Sequence, residues 1–333
     1  MGRLMKDGVA IVGCGLIGRK RAIALGSHRL VACADLDLER ARGLAGSTAL
    51  ATSSWQDAVA HPDAGIVIVA TTNDALAPVA IAALEAGKDV LVEKPAARSV
   101  AEIDRLIEVA RRTGGVIAVG FNHRFHPALR RARQIVDSGT MGPLMFVRAR
   151  YGHGGRLGYE REWRADPALS GGGELIDQGV HVIDLARWFL GDFPVVEGLA
   201  TTCFWDMPVD DNAFLTLRTD DGKVAFLHVS CSEWKNMFSM EIYGRTGKIA
   251  IDGLGGSYGV ERLTYYQMKP QMGPPDATSW DYPGPDASWT HEFQAFAADV
   301  AARRAPDAGL LAARAALVIV EAIYARSPQS TRS

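Results

Sequence analysis

With 333 residues, 48% of them hydrophobic and 22% charged, the chain has the composition of a folded protein with room for two domains, which excludes a disordered or collagen-like polymer. A formal net charge of −2 supplies no general attraction to nucleic acid or to an acidic membrane, and neither is expected as a partner. No run reaches the roughly 20 apolar residues of a membrane span, and Cys14, Cys33, Cys203 and Cys231 show no C-x-x-C spacing, so reduced thiols and a cytoplasmic location are expected.

Residues 8–120 alternate short β-branched runs with Ala/Leu-rich stretches, the pattern of a parallel sheet wound with helices. Strands are predicted at 9–12, 30–34, 66–70, 90–92 and 116–119. Their near-continuous apolar character suits strands covered on both faces. Helices are predicted at 75–86 and 100–112, the second opened by the capping pair Ser99 and Glu102 and stopped by Gly114-Gly115. A Rossmann-type domain over 1–120 follows.

The first strand runs into Gly13-Cys14-Gly15-Leu16-Ile17-Gly18. A G-x-G-x-x-G alone is weak in a chain with 35 glycines. Here it follows a strand and opens a helix, and Asp35 stands about 20 residues beyond it at the end of the second strand, which together make a dinucleotide fingerprint. Gly13 permits the tight turn, Gly15 lets the backbone approach a pyrophosphate, and Gly18 lets helix and strand pack closely. A carboxylate at Asp35 can accept from a ribose 2′-hydroxyl and repels a 2′-phosphate, which selects NAD over NADP. Asp37 is the substitute if the strand ends later, and Arg40 lies close enough to complicate the choice.

Past residue 120 the texture changes. A basic helix is predicted at 127–138, an extended run at 144–151, a helix at 174–190, and strands at 214–218 and 224–229 joined by an Asp221-Gly222 hairpin. A Pro/Gly-rich stretch at 270–285 precedes closing helices at 289–303 and 308–325. The second domain, 121–333, is therefore read as α+β with a large, mostly antiparallel sheet, its closing helices free to pack back on the first domain. The strand at 223–231 is apolar on both faces, while helices can cover only one. The other face is expected to meet a second subunit in a homodimer or homotetramer.

Asp177, His181 and Asp184 are spaced four and three apart, so on a helix they share a face. From the helix alone, catalysis and a structural arrangement, with Asp177 capping and His181 buried, stand level. A zinc site lacks a cysteine or a second nearby histidine, and no metal is expected. Before this helix, Tyr151, Tyr159, Arg161, Trp163 and Arg164 lie in a glycine-rich segment able to close over a substrate. The arginines suit an anionic group and the aromatics a sugar ring.

Three further segments resemble one family. Ala82-Ala83-Leu84-Glu85-Ala86-Gly87-Lys88 through Glu93-Lys94-Pro95 is similar to an A-L-E-A-G-K-x-V-x-x-E-K-P signature. Gly120-Phe121-Asn122-His123-Arg124-Phe125-His126-Pro127 is similar to a G-F-x-x-R-F-x-P domain junction, and Gly172-Gly173-Glu174-Leu175-Ile176-Asp177-Gln178-Gly179-Val180-His181 to a G-G-x-L-x-D-x-G-x-H helix. With the glycine turn they resemble the glucose–fructose oxidoreductase, inositol dehydrogenase and rhizopine-catabolism (Gfo/Idh/MocA) oxidoreductases. One position departs: where the family commonly carries a histidine after the third strand, this chain has Leu76, although Asn73 matches.

The resemblance implies that Lys94, Asp177 and His181 line the nicotinamide pocket and that the Lys94-Pro95 bond is cis. Leu16, Ile17, Thr71, Asn73 and Glu93 are expected with the glycines at the coenzyme, and Arg124 and Tyr151 with Arg161, Trp163 and Arg164 at the substrate. The expected chemistry is hydride transfer between NAD and a ring secondary alcohol of a sugar, nucleotide sugar or cyclitol. His181 is the acid/base, Lys94 stabilises charge on the reacting oxygen, Asp177 orients the imidazole or binds a neighbouring hydroxyl, and Asp184 supports the helix. Three alternatives stay open: an NADPH-dependent keto-sugar reductase, an NAD-retaining enzyme without net redox change, and a non-catalytic NAD sensor.

Overall fold

A computed structural model describes residues 7–327. The chain divides into two compact units. One holds the described residues up to Phe121 together with Ala168–Gly171 and Trp289–Arg314; the other holds Asn122–Pro167, Gly172–Ser288 and the described residues from Ala315 onward.

The first unit contains six parallel strands, β1 (Gly8–Val12), β2 (Arg29–Ala34), β3 (Leu50–Thr52), β4 (Ala64–Val69), β5 (Asp89–Val92) and β6 (Ile117–Val119), in the order β3-β2-β1-β4-β5-β6. Helices α1 (Leu16–Ile23), α2 (Leu38–Ala45), α3 (Trp55–Ala60), α4 (Asn73–Glu85) and α5 (Val100–Thr113) make the crossovers. This is the doubly wound dinucleotide order, and its switch point falls between β1 and β4. The predicted capping pair is present: the Ser99 hydroxyl accepts from the Glu102 amide at 3.2 Å, and Gly114 ends α5 in the left-handed region at φ 67°. Phe293, Phe296 and Val300 share a buried cluster with Val9, Ile11, Ile66 and Ile68.

The second unit is built on eight strands: β7 (Leu144–Gly152), β8 (Val195–Thr201), β9 (Asn212–Arg218), β10 (Val224–Ser230), β11 (Met237–Gly244), β12 (Gly247–Asp252), β13 (Glu261–Gln267) and β14 (Asp276–Tyr282). Their order is β14-β13-β12-β11-β7-β10-β9-β8, and every pairing is antiparallel except β7 with β10. The hairpin register pairs Val224 with Arg218, as the Asp221-Gly222 turn predicts. Helices α6 (Pro127–Asp137), the single turn α7 (Pro167–Ser170), α8 (Val180–Leu190), α9 (Ser288–Ala302) and α10 (Leu310–Tyr324) complete the chain. One sheet face buries Val147, Ala149, Leu215, Leu227, Val229, Met240, Ile242 and Ile251, while Leu199, Phe214 and Phe226 stay exposed.

Two expectations change. The predicted continuous helix over 174–190 begins with a π-turn at Leu175–Gly179 before α8 takes over. The Pro/Gly-rich stretch at 270–285 contains the strand β14, which pairs with β13 from Tyr282 to Asp276.

Candidate functional site

In the first unit the glycine turn leaves β1 at the switch point. Gly13 has φ 93°, and a Cβ there would stand 2.3 Å from the Ala70 carbonyl oxygen; one at Gly18 would stand 2.0 Å from the Gly13 carbonyl oxygen. A Cβ at Gly15 meets nothing within 4 Å. The three roles thus separate as the fingerprint requires: two glycines permit close packing and one leaves open approach. Gly15 caps α1 without a side-chain acceptor, and the first turn carries no acidic residue. Its amide donors and the positive end of the helix dipole suit a pyrophosphate. Leu16 is well exposed beside them, and Ile17 is half-buried.

Asp35 follows β2 directly. Its carboxylate accepts from the Cys14 amide at 2.7 Å and the Asp37 amide at 2.9 Å, which fixes it against the glycine turn. Asp37 is otherwise committed: it caps α2 by accepting from the Glu39 amide and pairs with Arg40. Arg40 is thereby drawn toward Asp37 and away from Asp35.

Lys94 lies just beyond β5, half-buried, and its bond to Pro95 is cis. Glu93 does not present its carboxylate openly. It is buried and accepts from Arg21 Nε at 2.7 Å, and Arg21, fully buried on α1, also pairs with Glu292. One guanidinium therefore ties the coenzyme helix to the strand end that carries Lys94. Asn73 is likewise buried, with its amide donating to the Ser170 carbonyl at 2.8 Å, and the Thr71 hydroxyl donates to the Thr72 carbonyl at 3.0 Å. Leu76 is completely buried, so the position where the family commonly has a histidine is core here.

In the second unit Asp177, His181 and Asp184 are all buried, and each has a distinct neighbour. Asp177, on the π-turn, accepts from Arg164 Nε at 2.9 Å. His181 stacks on His123 with ring centroids 3.8 Å apart and planes 22° apart. Asp184 takes a two-pronged pair from Arg124, Nε to Oδ2 at 2.7 Å and Nη2 to Oδ1 at 2.5 Å. Arg124, expected at the substrate, thus anchors α8. A π-turn widens the helix by one residue and is a common device at functional sites.

The turn is held from outside the helix. Asp210, buried, accepts from the Gly173 amide at 2.9 Å, the Leu175 amide at 2.8 Å and the Tyr324 hydroxyl at 2.8 Å. Burial raises its carboxyl above the ordinary range. A Cβ on Gly173 would stand 1.9 Å from the Asp210 carbonyl oxygen. Gly173 therefore serves close packing at the start of the turn.

Around Asp177 and His181, Tyr151 lies edge-on to His123 at 5.0 Å and against Tyr258 at 5.1 Å, and burial pushes both phenols up. Glu174, fully enclosed, is 3.6 Å from His153, whose pKa burial lowers. Burial pulls the Arg164 guanidinium down, and the Asp177 charge outweighs it, so the group stays firmly cationic. Arg164 lies over the Trp163 ring at 4.6 Å. Arg161 is exposed and pairs with Glu160, while Tyr159 is buried against Trp205 and His153. His123, Glu174, Asp210 and Tyr258 were not singled out from sequence. Glu174 lies one turn before Asp177 and His123 within the junction motif, whereas Asp210 and Tyr258 carry no local signal. Among the described residues no helix is long and apolar enough to cross a membrane, and no group of three or more His, Cys, Asp or Glu could hold a metal ion.

Two family models match the chain. An oxidoreductase-family NAD-binding Rossmann fold covers residues 8–121 and a Gfo/Idh/MocA C-terminal domain covers residues 129–250. The chain is 28% identical over 236 residues to a levoglucosan dehydrogenase of Pseudarthrobacter phenanthrenivorans, covering 60% of this chain and 58% of the relative, under two thirds of that protein's length. It is 32% identical over 250 residues to a D-glucoside 3-dehydrogenase of Escherichia coli, covering 67% of this chain and 69% of the relative. A solved levoglucosan dehydrogenase in complex with NADH shares the fold, with a TM-score of 0.83 over 97% of this chain and 99% of that one at 23% identity. The chain belongs to the Gfo/Idh/MocA oxidoreductase family and carries its NAD-binding Rossmann domain.

Proposed function

We propose that the protein oxidises a ring secondary hydroxyl of a neutral sugar, glycoside or cyclitol with NAD. The observation that carries this reading is the π-turn and helix of the second unit, which buries a carboxylate and an imidazole, Asp177 and His181, beside Tyr151 in a fold whose other unit binds the coenzyme. Bound NAD supplies the hydride acceptor. His181 takes the hydroxyl proton, because an imidazole titrates near neutrality. Asp177, fixed by Arg164, receives a neighbouring hydroxyl and orients the sugar. Lys94, a cation at the end of a parallel strand, stabilises the charge that develops on the reacting oxygen.

The arginines favour a neutral substrate over an anionic one. Arg164 pairs with Asp177, Arg161 with Glu160 and Arg156 with Glu162, so each already faces a carboxylate. Names of relatives agree: levoglucosan, a D-glucoside and inositol carry ring hydroxyls and no charge. The exposed Leu199, Phe214 and Phe226 on the open sheet face support a homodimer or homotetramer formed through that face. A panel of methyl glucosides, anhydrosugars, inositols and nucleotide sugars assayed with NAD tests the reading. Turnover of neutral members with accumulation of NADH supports it, and turnover restricted to nucleotide sugars contradicts it.

A further inference from the structure

We infer that His123 is a positioning residue for His181, its Nδ1 proton fixed by a buried chain running through Asn122 and Ser288 to Asp286 and its ring neutral beside the stacked His181. The inference rests on the reading of His181 as acid/base. The chain begins at a carboxylate. Asp286 can only accept, so the Ser288 hydroxyl donates to its Oδ1 at 2.6 Å. With its proton spent, Ser288 Oγ accepts from Asn122 Nδ2 at 2.9 Å. That fixes the Asn122 amide, whose Oδ1 then faces His123 Nδ1 at 3.2 Å and can only accept. His123 must donate there, which places its proton on Nδ1.

Ser288, Asn122 and His123 are all at least nine-tenths buried. The orientation is therefore set without competition from water. Tyr151, Phe238 and His126 surround the His123 ring edge-on at 5.0, 6.1 and 5.7 Å, leaving one face for His181. A ring fixed at both its edge and its nitrogen gives His181 a flat, immobile support, and holding a reacting group within a few tenths of an ångström is worth large rate factors. Two stacked imidazolium ions would repel strongly in a buried site. A neutral His123 leaves His181 free to take up the substrate proton.

The test combines spectroscopy with kinetics. Long-range proton–nitrogen spectra of the histidine rings, recorded on uniformly nitrogen-15-labelled protein without substrate and assigned with His123→Phe, should show His123 as the Nδ1–H tautomer at neutral pH. In Ser288→Ala, a change two hydrogen bonds away from the His123 ring, that signal should move toward the other tautomer. On the best neutral sugar of the panel kcat should then fall roughly tenfold with KM unchanged, a fraction of the ~10²–10⁴ a positioned acid/base supplies. His123→Phe, which keeps a flat ring in the stack, should retain more kcat than His123→Ala. An Nε2–H tautomer or an imidazolium at His123 in the unmodified protein, or equal loss in the Phe and Ala variants, overturns the inference. Failure of the underlying reading looks different: His181→Ala would keep its turnover while the His123 tautomer stays as described.

Discussion

Arg164 donates through Nε to Asp177 Oδ2 at 2.9 Å, joining the segment before the π-turn to the carboxylate on it. The contact gives the Asp177 carboxylate a fixed orientation. Asp177→Asn is expected to lower kcat/KM by roughly 10²-fold or more, the scale of a lost positioned polar group. Arg164→Ala should cost less and act mainly on KM. NADH affinity, measured by fluorescence titration, should be the same in both variants; a parallel loss of NADH binding would place Asp177 at the coenzyme instead.

Arg21 sits between Glu93 and Glu292 with no exposure at all. Removing the cation leaves two buried carboxylates facing each other, so Arg21→Met should destabilise the fold by about 3–5 kcal/mol, the cost of stranding a buried charge. Adding Glu93→Gln and Glu292→Gln to the same chain should restore much of it. Urea denaturation of the single and triple variants checks this, and equal stability of the two would show that the charges are not coupled.

His153 and His228 both have imidazoles whose pKa burial lowers. In the window between the depressed native value and the ordinary value near 6.5, the unfolded chain binds more protons than the native one, so stability rises with pH and is lost as pH falls through that window. His153→Gln and His228→Gln should each flatten this acid limb. Denaturation midpoints measured from mildly acidic to neutral pH test it, and an unchanged slope in both variants would exclude these residues as its source.

Asp35 reaches the glycine turn through the Cys14 amide. NADH should bind much more tightly than NADPH if this carboxylate receives the ribose 2′-hydroxyl and repels a 2′-phosphate, and Asp35→Ser should narrow the preference. Competitive titration of both coenzymes decides it; equal affinities in the unmodified protein would remove Asp35 from that role.

Most of the first unit was legible because its signals are local. The glycine turn, the Ser99 cap and the apolar strands each act through neighbours in sequence. The strand Leu50–Thr52 escaped because three residues carry no periodicity, and Asp276–Tyr282 because it is a mostly exposed edge strand among prolines and glycines. At the site, motif spacing located Asp177 and His181 but gave no partners for them. Arg124 was expected at the substrate and Glu93 at the coenzyme, and neither motif signalled the ion pairs they make, Arg124 with Asp184 and Glu93 with Arg21. Asp210 and Tyr324 act across more than 100 residues of chain, where no window can find them. Gly173 stood in a helix motif, and its close packing on the Asp210 carbonyl carries no signal in sequence.

The central claim is that His181 moves the proton in an NAD-linked oxidation of a neutral sugar. It is tested most directly by following the nicotinamide absorbance band with a methyl glucoside or levoglucosan for the unmodified protein and for His181→Ala. The unmodified protein should accumulate NADH, and His181→Ala should lose at least about 10²-fold in turnover while binding NADH as before. Undiminished turnover in His181→Ala, or product formation without net NADH, would contradict the account.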